Sequence, residues 1–146
     1  MKDIDLARQL LETGGHSIVA VKAGMVIGTA SGPGVGPLLK LVEECRSELM
    51  GAAVADKVVG RAVALVCAEL GVAAVYGAVM SETAVEVFAR YGIEFSSGMT
   101  VPTIMNRTQT DLCPIERGSQ GLPSAHGATD ALKQILAQLR ANAPKQ

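Results

Sequence analysis

The sequence predicts a single three-layer α/β/α domain around a mixed sheet that opens with an antiparallel hairpin and continues through parallel crossovers. Three features carry this expectation: two β-rich runs divided by Ala23-Gly24, a strand, helix and strand in succession between Gly71 and Phe95, and amphipathic helical segments around them. At 146 residues the chain has the size of one ordinary domain and is long enough to bury a core.

Residues 3–13 place Ile4, Leu6, Ala7, Leu10 and Leu11 at helical spacing, with Asp3 or Asp5 as a cap and Gly14-Gly15 as a stop. Ser17–Lys22 and Met25–Thr29 read as two strands of a tight hairpin. After the Gly/Pro stretch Ser31–Pro37, Leu38, Leu39, Leu41 and Val42 share one side of a helix that ends near Met50-Gly51. Residues 53–70 spread Val54, Val58, Val59, Val63, Leu65, Val66 and Leu70 around the helical wheel, which predicts a central helix covered on most sides. Gly71–Val79 is a continuous apolar strand, Ser81–Tyr91 a helix capped by Ser81 and stopped by Gly92, and Ile93–Phe95 a further strand. Val101–Pro123 has no long period, Ser119–Gly127 reads as a linker, and Ala128–Leu139 as a last amphipathic helix.

Composition narrows the partners. A net charge of -1 and 18% charged residues supply no basic field for nucleic acid or a membrane surface, and two Phe, two Tyr and no Trp leave little for base stacking. Three scattered cysteines, Cys45, Cys67 and Cys113, imply no disulfide framework and a reducing compartment. With neither a signal-like N-terminus nor a membrane-length apolar run, a cytoplasmic location is expected.

Three segments carry chemistry. Ser31–Pro37 joins a strand to a helix and has two readings, a structural turn with Pro37 starting the helix, or a loop whose N–H groups hold an anion. Asp56, Lys57 and Arg61 interrupt the apolar run 53–70, either as a solvated stripe or as the floor of a site in which Lys57 faces an anion. Gly60, mid-helix on this reading, marks a close approach by another element. Asn106, Arg107, Cys113 and Glu116 gather in one loop region, either a plain surface loop or a functional rim. His16 and His126 stand alone in loops, without a metal-spaced companion.

The order of elements resembles the cytidine-deaminase fold. Val54-Ala55-Asp56-Lys57-Val58-Val59-Gly60, with Met105-Asn106-Arg107 and Leu112-Cys113-Pro114-Ile115-Glu116, resembles an uncharacterised prokaryotic family of deaminase-like domains. The resemblance implies a deaminase-like domain over 1–117, with 118–146 a linker and helix packed on that domain or on a partner subunit. A zinc deaminase carries His or Cys with Glu at the start of its central helix and P-C-x-x-C at the start of the next strand's helix. On the reading above, Ala55-Asp56-Lys57 and Met80–Ala84 hold those places, so no metal, no cofactor and no zinc-dependent deamination are expected.

What remains is a pocket in the deaminase position that binds a small anionic or nucleotide-like ligand. Asp56, Lys57, Asn106, Arg107 and Glu116 are its expected binding residues, with Glu116 as counter-charge to Lys57. Two alternatives stay open: a zinc-independent enzyme with Cys113 as nucleophile, and a homo-oligomeric structural module.

Overall fold

The computed structural model describes residues 1–106 and 108–142. Five strands, β1 (Ile18–Lys22), β2 (Met25–Ala30), β3 (Ala53–Val59), β4 (Ala74–Ser81) and β5 (Glu94–Val101), form one sheet in the order β2-β1-β3-β4-β5. Strand β1 runs antiparallel to β2 and β3, while β3, β4 and β5 are parallel. Helix α1 (Asp3–Thr13) lies on one face, packing Ala7 and Leu11 on Val19, Val21, Ala55 and Tyr76. The other face is covered by α2 (Gly36–Cys45), α3 (Arg61–Glu69) and α4 (Glu82–Tyr91), with α6 (Ala128–Ala141) adding Ala128 and Leu132 to the same core. The short α5 (Pro114–Ser119) packs on α3 and α6. This is the mixed, three-layer sheet expected from the sequence.

The hairpin turns through Ala23 (φ 53°) and Gly24 (φ 78°), the left-handed pair that a two-residue turn between twisted strands demands. Asp3 fixes it from α1, accepting the N–H groups of Ala23 and Gly24 at 2.9 Å each. The Ser81 hydroxyl accepts the N–H of Ala84, and Gly92 (φ 68°) ends α4 in the left-handed conformation.

One expected element is replaced. Residues 53–70 are not a single helix: Ala53–Val59 is strand β3, and only Arg61–Glu69 is helical. Strand β3 is central, paired through Ala55 to Val19 and Tyr76, so Ala53, Val54, Ala55 and Val59 are buried and the first half of the strand is covered on both faces. Burial on both faces removes the alternation that marks a strand, leaving a run indistinguishable by period from a buried helix. Gly60 is therefore the residue before α3, in extended conformation (φ -101°, ψ -172°), and not mid-helix. Smaller differences follow. Helix α2 stops at Cys45 and a 3-10 turn, Arg46–Leu49, completes the segment; β5 runs on to Val101; and α5 falls where no period was visible.

Candidate functional site

A cavity of about 530 Å³ opens at the carboxyl end of β3, beside the strand where the sheet changes direction. Parallel strands place ligands at such switch points because the adjoining loops part there. Its floor is Asp56, Lys57 and Val58 on β3, with Ser17 just before β1. One wall is the Gly-rich stretch Gly32–Val35 leading into α2, and a second is Gly60, Ala62 and Val63 at the start of α3. Ile104–Asn106 and Cys113–Glu116 close the rim.

Ser17 pins the Gly-rich loop, its hydroxyl donating to the Gly32 carbonyl at 3.0 Å and accepting the Gly32 N–H at 3.1 Å. Gly32 (φ +136°) and Gly34 (φ +65°) take backbone conformations closed to most side chains. No side chain caps α2, and its first turn holds no acid. The glycine stretch, two-sided on sequence grounds, thus brings an uncapped helix head to the cavity.

Asp56 is enclosed by protein except where it meets the cavity, and the Val58 N–H approaches its carboxylate at 3.5 Å. Burial pushes its pKa up to about 7, against the lowering effect of the Val58 and Lys57 backbone N–H groups. Lys57 is exposed on the same strand end. Asn106 is spent within its own loop: its side-chain oxygen accepts from Thr110 N–H and Thr108 Oγ1, each at 3.1 Å, and its amide donates to Thr110 Oγ1 at 3.2 Å. Those bonds, with Cys113 N–H to Ile104 O at 2.9 Å, shape the rim. Cys113 is half-buried on the cavity, whereas Cys45 and Cys67 are buried away from it. Arg107 lies outside the described residues.

Five of the six expected site residues therefore line one cavity, but not in the expected arrangement. Glu116 does not pair with Lys57. Instead it accepts the Arg61 N–H at 3.0 and 3.3 Å and the Thr83 hydroxyl at 2.7 Å. The reason is the strand: with β3 in place of a helical turn, Lys57 stands a strand end away from the head of α3, where Glu116 is buried. The Gly-rich loop, left between two readings by the sequence, stands against the cavity, and Arg61 is not part of it: its guanidinium binds the carbonyls of Ser119 and Leu122 and clasps α5 to α3.

The shift by one element also moves the places where a deaminase would carry zinc ligands. The helix directly after the hairpin is α2 and the helix of the next strand is α3, so those places are Val35-Gly36-Pro37 and Gly60–Val63. They hold no thiol, imidazole or carboxylate of their own, and Glu116 at the head of α3 is already hydrogen-bonded. Among the described residues no three His, Cys, Asp or Glu side chains gather as a metal set. These residues do not fit a zinc ion.

The order and direction of its strands place the chain among α/β domains of deaminase-like fold. It belongs to the family described as TM1506, domain of unknown function (DUF1893), whose sequence profile matches residues 6–136. The DUF1893 family protein TM1506 from Thermotoga maritima, a solved structure, superposes with a TM-score of 0.81 at 22% identity, over 94% of this chain and 91% of that one. RibD from Acinetobacter baumannii superposes with a TM-score of 0.53 at 17% identity, over 66% of this chain but 35% of RibD. At these identities the likeness is one of fold. No curated protein sequence matches.

Proposed function

We propose that this domain binds a small anionic, nucleotide-like ligand in the cavity at the end of β3, in a regulatory rather than a deaminating role. One observation carries the reading: a largely apolar cavity of about 530 Å³ combines a Gly-rich loop and uncapped helix head with the exposed Lys57 on its floor. Cavities of this size take metabolite-sized ligands, and a helix head with a nearby cation favours a phosphate or carboxylate. Apolar side chains such as Val35, Val63, Ile104 and Ile115 suit a flat heterocycle, and Asp56 offers it a polar edge. Arg107 belongs to the same proposal from sequence alone.

Native mass spectrometry of protein purified from cells tests this, together with melting temperatures against a panel of nucleoside monophosphates and other anionic metabolites. A copurifying anionic compound, or a melting rise specific to one class, is expected; a flat panel and a bare protein contradict the reading.

A second reading rests on Cys113 lining the same cavity as Lys57, which allows a thiol nucleophile near a cation. A homo-oligomer is also proposed, on the open edge of β5, where Phe95 and Met99 are 40% and 60% exposed. Sedimentation over a range of concentrations decides it.

A further inference from the structure

The head of α3 holds a carboxylate that α3 itself does not supply. Glu116 is 3% exposed, and its two oxygens share the Arg61 N–H while one also accepts the Thr83 hydroxyl. Thr83 lies in the first turn of α4, hydrogen-bonded at 2.8 Å to the capping Ser81. One carboxylate is thus bonded to the first turns of two helices, where free N–H groups and helix dipoles favour negative charge.

Gly60 makes the room for it: a Cβ there would stand 2.4 Å from Glu116 Oε2. Among the described residues Glu116 has no ion-pair partner, because the Arg61 guanidinium is spent on the Ser119 and Leu122 carbonyls. A buried carboxylate without a cation needs such donors to stay in place. A zinc deaminase has P-C-x-x-C at the start of the corresponding helix, where two thiolates hold the metal.

We propose that Glu116 is an internal ligand: its carboxylate fills an anion site at the head of α3, braced from α4, and fastens the pocket's rim there in place of a metal and its thiolates. The site takes a carboxylate-sized anion, and in the native chain that anion is always Glu116. Removing the side chain leaves a buried site of matching size and polarity that a small carboxylate from solution can enter.

The test is the thermal melting of Glu116→Ala in rising formate, with chloride at equal ionic strength as control and zinc as a third arm. The variant is expected to melt several degrees below wild type, and formate to restore it saturably while leaving wild type unchanged. Zinc is expected to restore nothing. Glu116→Gln keeps the shape without the charge and is expected to melt between the two, with no response to formate because the site is filled. If Glu116→Ala does not fold, its refolding yield in formate against chloride replaces the melting curve. Formate acting no better than chloride, formate raising wild type equally, zinc restoring the variant, or Glu116→Gln matching wild type would each overturn the proposal.

Discussion

Gly60 and Glu116 compete for one volume: the hydrogen atoms at the Gly60 Cα are all that separates that backbone from the Glu116 carboxylate, and a Cβ would lie 2.4 Å from Oε2 and 3.1 Å from Ile104 Cγ1. The backbone of Gly60 is extended and open to any residue, so space alone demands glycine.

Gly60→Ala is therefore expected to destabilise the domain by about 1–3 kcal/mol, because the carboxylate must leave its donors. Chemical denaturation measures it. A neutral or stabilised variant would show that Glu116 moves aside at no cost.

Asp56 gives stability a pH dependence of determinate sign. Its pKa is about 7 in the fold against about 3.9 in an unfolded chain, so the folded state holds the proton more tightly. Its contribution is present below about pH 4 and is lost as pH rises through about 7, amounting to about 2–4 kcal/mol between those limits. Asp56→Asn should gain on wild type at pH 8 and not at pH 4, as read by urea unfolding at both. An equal offset at the two pH values would place Asp56 in water.

The three cysteines should separate cleanly. Burial, and then the Asp56 charge, pushes the Cys67 thiol up to about 12, and burial ahead of Glu48 and Glu44 raises that of Cys45. Cys113, on the cavity, is expected to be alkylated first. Mass spectrometry of partly alkylated protein reads the order, and Cys45 or Cys67 modified ahead of Cys113 would contradict the burial of the first two.

The limits of the sequence lie in particular residues. The hairpin, α1, α4 and α6 were legible because turn residues, caps and one-sided apolar spacing act locally: Ala23-Gly24, Ser81, Gly92, and Ala128 with Leu132. Strand β3 was not, because Ala53-Val54-Ala55 is apolar on both faces and alanine favours helix elsewhere. The break at Gly60 was visible, but its cause, a carboxylate 56 positions further along, is tertiary. That Asp56, Lys57, Asn106, Cys113 and Glu116 gather at one cavity was legible, whereas the partners of Glu116 depended on where α3 begins.

The cavity at the end of β3 is the proposed binding site for an anionic, nucleotide-like compound. Backbone amide shifts in two-dimensional NMR, recorded while nucleoside 5′-monophosphates and ribose 5-phosphate are titrated, test it most directly. The predicted result is a saturable set of shifts confined to Gly32–Gly36, Asp56–Arg61 and the rim around Ile104 and Cys113, weakened several-fold by Lys57→Ala. Shifts that gather elsewhere on the domain, or none with any of these compounds at millimolar concentration, would contradict it.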